Sequence, residues 1–315
     1  MTAQQIQHGF GRLRQVAGLL PTRLRAALER LPQQEQAEIE ELRLRAGQAM
    51  TAVVPAGERT VPGAEEPVRP EELSLILEVA TRASAHTALE RVQNGFVTVR
   101  GGHRIGLCGT AVVRDGTVHN LRCLSSLCIR VARAVPGVSA PVLGAVRVER
   151  GLVSTLILSP PGGGKTTLLR DLIRAISDGE GGPPLRVGVA DERSELAALW
   201  EGVPQLEVGR HTDVLEGCPK AAALMMLLRG MDPQVLAVDE ITAPADVEAL
   251  EMAANCGVAL LATAHAESLE DLRRRPLYRR LLETEVFEQA VCIRRTEQGR
   301  RYEVLPLVCG EEGPC

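Results

Sequence analysis

The sequence predicts an α/β chain of two domains: a smaller α+β domain over residues 1–136, then a mostly parallel sheet with helices on both faces over 137–315. Three observations carry that expectation. From about residue 150 onward, apolar runs short enough for buried strands alternate with amphipathic helical segments, the rhythm of a parallel sheet covered on both sides. The first half instead opens with helical periodicity and turns to strand-like alternation. Between them VARAVPGVSAPVLGAV, dense in Pro, Gly and small residues, reads as an interdomain linker. At 315 residues and 45% hydrophobic content, the chain can bury two cores.

Taken in order, Ile6, Phe10, Leu13, Val16 and Leu20 fall at helical spacing, Pro21 breaks the run, and Leu24, Leu28 and Leu31 resume it. This predicts an amphipathic hairpin whose apolar stripe is either domain core or a docking surface. From Glu38 the period becomes two, and EIEELRLRAGQAMTAVVPAGERTV predicts paired strands turned at Arg45-Ala46-Gly47. Helices are expected around 71–93, followed by strand-like GFVTVRGGHRIGLCGTAVV and LSSLCIRVAR. In the second half the expected strands are LVSTLIL, LRVGVA, QVLAVD, GVALLATA, QAVCIRR and RYEVLPL. The helix TTLLRDLIRAISD sets Leu168, Leu169, Leu172, Ile173 and Ile176 on one face.

The chemistry is concentrated at SPPGGGKTT, where an apolar strand runs straight into that helix. This is the context in which a Walker A loop holds phosphate. Ser159, Pro160, Pro161, Gly162, Gly163, Gly164, Lys165, Thr166 and Thr167 form the expected cradle. The glycines let backbone amides approach the phosphates, and the helix adds the positive end of its dipole. Lys165 is expected on the β and γ oxygens and Thr166 on magnesium. QVLAVDE ends a buried-looking strand in two carboxylates, a Walker B reading in which Asp239 helps hold the metal and Glu240 polarises the attacking water. ATP and Mg2+ are therefore the expected ligands. Two more strand tips carry polar groups where open parallel sheets bind ligands, Asp191 with Glu192 and Thr263 with His265.

Arginines matter if subunits form a ring, because a neighbour's guanidinium can neutralise charge on the transferring phosphoryl group. Arg100, Arg104 and Arg130 precede the second domain, Arg210 and Arg229 lie within it, and Arg104 follows a Gly-Gly turn. The expected catalytic set is Glu240, Lys165, Glu192, His265 and Arg104. Lysine occurs only at Lys165 and Lys220, so a chain that uses arginine almost everywhere keeps a lysine in the cradle.

Composition weighs against several classes. A net charge of −4 and six aromatic residues are poor material for coating nucleic acid or stacking bases, which disfavours the alternative of a nucleic-acid translocase or helicase. Neither lysine sits in an Asn-Lys-x-Asp motif, so a guanine-nucleotide switch is disfavoured, and no LSGGQ-type signature of an ABC subunit occurs. The longest apolar runs are shorter than a membrane span and no secretory signal opens the chain, so a cytoplasmic location is expected. The eight cysteines form no zinc pattern and receive no role.

Several segments resemble a known family over nearly the whole chain. They are ELRLRAGQAM with AGERTV, GGHRIGLCGTAVV, DERSELA, GRHTDVLEGCPKAAALMMLLRGMDPQVLAVDEI and DVEALEMAANCGVALLATAHAES. They are similar to the motor ATPases of type II and type IV secretion and pilus systems, and most closely to the stage III sporulation protein AA family. The resemblance implies a RecA-like P-loop motor domain, with Asp191 and Glu192 as its acidic box and Thr263 and His265 as its histidine box. It also implies a hexameric ring on the mother-cell side, docked on membrane proteins of a sporulation channel and reaching the membrane only through them. Three departures stand out: Ser159 replaces the usual first glycine, Asp239 stands where many secretion ATPases carry glycine, and the zinc-site cysteines of some type II motors are absent.

Overall fold

The computed structural model describes residues 3–81, 95–133, 135–149, 151–296 and 299–307. The later part of the helical segment expected around 71–93 falls outside them. The chain divides into two compact units, Met1–Arg133 with Trp200–Gln205, and Ala134–Leu199 with Leu206–Cys315.

The first unit starts with α1 (Ala3–Ala17), α2 (Thr22–Glu29) and α3 (Gln33–Glu38). Strands β1 (Glu41–Arg45), β2 (Thr51–Val54) and β3 (Gly57–Thr60) follow, then α4 (Pro70–Thr81), β4 (Phe96–Val99), β5 (His103–Arg114) and β6 (Thr117–Arg130). The strands form one antiparallel sheet in the order β3-β2-β1-β6-β5-β4. Period-two burial along β1 and β2 turns Leu42, Leu44, Ala52 and Val54 inward. The apolar stripe of the helical hairpin meets that face: Leu13, Val16, Leu20, Leu24 and Leu28 are buried with Leu42, Leu44, Ile105 and Ile129. Of the two readings of that stripe, this decides for domain core over a docking surface, because the sheet has one apolar face and these helices are what cover it.

His103 sits in this core with no exposed surface. The Ala132 N–H donates to its Nδ1 (3.1 Å), which leaves the ring hydrogen on Nε2 for Gln15 Oε1 (3.0 Å). Burial, with the nearby Arg12 charge, pushes its pKa down to about 3.

The second unit contains α5 (Ala140–Val146), a short hairpin β7 (Arg147–Val148) and β8 (Gly151–Leu152), then β9 (Thr155–Ser159) and α6 (Lys165–Asp178). After β10 (Val187–Asp191) the chain passes through β11 (Leu199–Trp200) and β12 (Val203–Pro204), which pair with each other and run into the Trp200–Gln205 segment of the first unit, and returns to the second unit for β13 (Thr212–Glu216) and α7 (Lys220–Gly230). The chain continues through β14 (Val235–Val238), α8 (Pro244–Asn255), β15 (Ala259–His265), α9 (Leu269–Arg274) and α10 (Pro276–Glu283) to β16 (Gln289–Thr296) and β17 (Gly299–Pro306). Seven strands form a sheet in the order β13-β10-β14-β15-β9-β16-β17, parallel except for β17, which returns antiparallel along β16. Both faces are apolar: Ile157 joins Leu168, Leu169, Leu172, Ile173 and Ile176 of α6, while Leu156 and Leu158 face the α7 and α8 side.

Two expectations change here. The edge strand β13 was not anticipated from the sequence, because TDVLE is half polar and only half buried. The expected linker is partly core, since Val142 and Val146 of α5 are buried and the Asp171 carboxylate accepts from Gly137 N (3.1 Å), Ser139 N (2.8 Å) and Ser139 Oγ (2.7 Å).

The neutral, buried His103 makes the first unit sensitive to acid. The unfolded chain takes up a proton near the ordinary value of 6.5, while the folded ring resists until about 3, so stability is lost as pH falls through that window. Going from about pH 7 to about pH 5 should cost about 2 kcal/mol through this group. Urea unfolding followed by the fluorescence of Trp200, the single tryptophan, should show that slope in the parent and lose it in His103→Gln.

Candidate functional site

The loop between β9 and α6 is shaped by glycine at two levels. Gly162 (φ +74°) and Gly164 (φ +103°) take left-handed conformations that turn the chain into the helix amino terminus. Gly163 is constrained by the unusual Ser159, which is buried beneath the loop and donates its hydroxyl to the Pro160 carbonyl (2.9 Å). A Cβ at position 163 would come within 2.7 Å of the serine Cβ. The serine and the glycine core are thus complementary, and the departure at the first position leaves the cradle intact.

Lys165 is 6% exposed. Its ammonium donates to the Ser159 carbonyl (3.0 Å), lies 3.5 Å from that of Pro160, and donates to His265 Nδ1 (2.7 Å). Burial lowers its pKa, opposed by the charges of Asp239 and Glu240. Because Nδ1 accepts from lysine, the His265 ring hydrogen lies on Nε2, directed at Glu240 Oε1. The other Glu240 oxygen pairs with Arg193 at 2.6 Å. Thr166 Oγ1 donates to Asp239 Oδ2 (2.7 Å), and Thr263 Oγ1 donates to Asp239 Oδ1 (2.6 Å) while accepting the Glu240 N–H (2.8 Å). Glu240 has φ +62°, a strained choice for a residue with a Cβ, and the bond from its amide to Thr263 holds it there.

Lys165, Thr166, Arg193, Asp239, Glu240 and His265 line a cavity of about 440 Å³ at the carboxyl ends of the strands, with Pro161, Gly162, Gly164, Thr167, Glu195 and Arg300. A larger cavity of about 670 Å³ lies at the opposite end of the sheet, beside Arg186, Arg229 and Gln234. Thr166 and Asp239 suit magnesium, which keeps several waters and takes few protein oxygens. No group of three or more His, Cys, Asp or Glu side chains converges among the described residues.

Lys165, Thr166, Asp239, Glu240, Thr263 and His265 therefore come together as expected from the sequence. Asp191 and Glu192 sit elsewhere. Asp191 is buried and accepts the amides of Glu195 (2.8 Å), Leu196 (3.1 Å) and Ala197 (2.8 Å), which gives it the work of shaping the turn after β10. Glu192 does not line the cavity and pairs with Lys220 (2.7 Å), which also donates to Thr242 Oγ1 (3.2 Å). Among the arginines, Arg104 stacks on Phe96, Arg130 pairs with Glu41, Arg210 pairs with Asp178, and none of these lines the cavity of about 440 Å³. Arg193, Glu195 and Arg300 were missed from the sequence. The first two lie inside the DERSE box already singled out, whereas Arg300 gives no signal of its own among the arginines of the last strands.

A family model described as sporulation stage III, protein AA, matches residues 11–305. The chain is 38% identical over 292 residues to the stage III sporulation protein AA of Bacillus subtilis, covering 90% of this chain and 92% of that one. In structure it is similar to the Legionella pneumophila ATPase DotB, with a TM-score of 0.59 at 16% identity over 91% of this chain and 83% of that one. It is likewise similar to the pilus retraction motor PilT solved with bound ADP, with a TM-score of 0.59 at 18% identity over 85% and 79%. The fold is thus that of the RecA-like secretion and pilus ATPases, with an antiparallel sheet in the first unit and a mostly parallel one in the second. No helix among the described residues is long and apolar enough to cross a membrane.

The Thr263 hydroxyl joins Asp239 and Glu240. Thr263→Val keeps the shape but leaves the Glu240 amide and an Asp239 oxygen without that partner, and should destabilise the second unit by about 1–3 kcal/mol. Thr263→Ser keeps the hydroxyl and should recover most of the loss, as read by thermal denaturation of both variants beside the parent.

Proposed function

Since the chain belongs to the family described as sporulation stage III, protein AA, we propose that it is an ATP-hydrolysing motor of a secretion-like membrane complex used in sporulation. The observation that carries this is the convergence of Lys165, Thr166, Asp239, Glu240 and His265 on one cavity at the carboxyl ends of the sheet.

In this reading the amides of Gly162 to Thr166 and the amino terminus of α6 hold the β and γ phosphates. Lys165 exchanges His265 Nδ1 and the loop carbonyls for phosphate oxygens. Thr166 and Asp239 hold magnesium, which when bound neutralises phosphate charge. Glu240 orients a water and takes its proton, and His265, freed of lysine, accepts at Nδ1 from that water while keeping its Nε2–H bond to Glu240. Glu192, held by Lys220, supports the site from outside the cavity.

The quaternary part of the proposal rests on family membership. The working form is a hexameric ring in the mother-cell cytoplasm, docked on membrane proteins of the channel. Residues 1–136 serve as the domain that faces a neighbour's nucleotide, and Arg104 reaches it in trans. Nucleic acid is no partner. Sub-micromolar DNA binding with strong stimulation of ATPase activity, measured beside anionic vesicles at physiological salt, would replace this reading with that of a translocase.

Lys165→Ala should lose nucleotide binding. Glu240→Gln should bind ATP like the parent and hydrolyse it about 10²–10⁴-fold more slowly. Equilibrium binding of a fluorescent ATP analogue, with phosphate release measured in parallel, separates the two effects. Parent-like turnover in Glu240→Gln removes that residue from the role of base.

A further inference from the structure

The last two strands carry a feature that sheet stability alone does not explain. Strand β16 pairs with β9 up to Cys292 opposite Leu158, one residue before β9 ends at Ser159 and the phosphate loop begins. Beyond that point β16 continues through Ile293, Arg294, Arg295 and Thr296, and β17 returns alongside it. The hairpin therefore overhangs the carboxyl end of the sheet beside the cradle.

Its register places Arg295 directly opposite Arg300, and Arg294 directly opposite Arg301. Like charges facing each other across an antiparallel pair are destabilising. The two pairs lie on opposite faces, and they are treated differently. On one face, Arg294 pairs with Glu303 at 3.3 Å. On the other, Ile293 and Tyr302 pack on the core beneath α6, so Arg295 and Arg300 extend the face that α6 covers. Among the described residues neither of them has a carboxylate partner. Arg300 instead donates through Nε to the Gly163 carbonyl (2.9 Å) and lines the phosphate cavity with Lys165 and Thr166. The absence of a Cβ at Gly164 makes this approach possible, since one would lie 2.9 Å from that Nε and 3.0 Å from the guanidinium carbon.

Resting on the reading of the cavity as a nucleotide site, we propose that Arg300 is a nucleotide-binding residue supplied in cis: its guanidinium hydrogen-bonds the phosphates of the nucleoside triphosphate, with Arg295 adding charge behind it. A guanidinium presents several donors in a fixed fork, so Nε can stay on the loop carbonyl while the remaining N–H groups meet phosphate oxygens. The polyphosphate supplies the counter-charge that the arginine pair lacks among the described residues. Binding then ties the ends of β16 and β17 at Arg295 and Arg300 to the nucleotide.

The test uses the full chain, ATP with magnesium, and the variants Arg300→Ala and Arg300→Lys. Arg300→Ala should bind ATP about 10- to 100-fold more weakly than the parent, with Arg300→Lys recovering part of the loss. In the ligand-free state Arg300→Ala should melt no lower than the parent, because it also removes the like-charge pair. Amide exchange across Ile293–Thr296 and Gly299–Arg301 should slow when the parent binds ATP and change little in Arg300→Ala. Parent-like ATP affinity in Arg300→Ala overturns the inference while the ATPase reading stands. A marked fall in ligand-free melting temperature also overturns it, by making Arg300 a structural clamp on Gly163. Failure of the parent to bind ATP overturns both.

Discussion

A buried ammonium must be surrounded by acceptors, and the second unit is organised around meeting that requirement at Lys165. The side chain is nearly inaccessible, and its charge is met by the carbonyls that enter the glycine loop and by a histidine from the neighbouring strand tip. His265 is bound in turn to Glu240, and Glu240 to Arg193, so the order of the chain lysine, histidine, carboxylate, arginine alternates donor and acceptor without a gap. The tips of β9, β10, β14 and β15 are thereby held together by polar bonds above a sheet that is otherwise apolar on both faces. Phosphate chemistry in such a site begins with exchanging these internal partners, which makes the ligand-free arrangement a competitor of the bound one.

Much of this was legible in the sequence, for reasons that can be named. The cradle is local: strand, glycines, lysine, threonine and helix are contiguous, so their chemistry does not depend on how distant elements pack. Asp239, Glu240, Thr263 and His265 were legible because strand tips in a parallel sheet share one edge. What escaped depended on register and burial. Whether Asp191 or Glu195 faces the cavity is set by a turn after β10 in which the Asp191 carboxylate takes up three amides, and nothing in DERSE dictates that choice. Arg300 escaped because its position follows from where β16 outruns β9, a pairing property invisible in an arginine-rich strand.

The first unit shows the opposite limit. A helical apolar stripe announces that something apolar will cover it, without saying what. Here the cover is the chain's own sheet, through Leu42, Leu44, Ile105 and Ile129, and the helices are spent on the core. The segment expected as a linker was misread for a related reason. Pro, Gly and small residues marked it as irregular, but two valines placed four apart make one turn of helix dock, and Asp171 fixes the approach.

The pairing of Lys220 with Glu192 has a consequence for how the molecule can be interrogated chemically. Lys165 and Lys220 are the only lysines, both are almost wholly buried, and both begin helices at the edge where the strand tips meet. Apart from the chain's own amino terminus, every amine available to acylating reagents therefore belongs to the working edge of the sheet. A protease that cuts after lysine can release only three fragments, and each cut requires one of those helix starts to leave its place. The rate of reaction at these two amines measures how often this one edge opens.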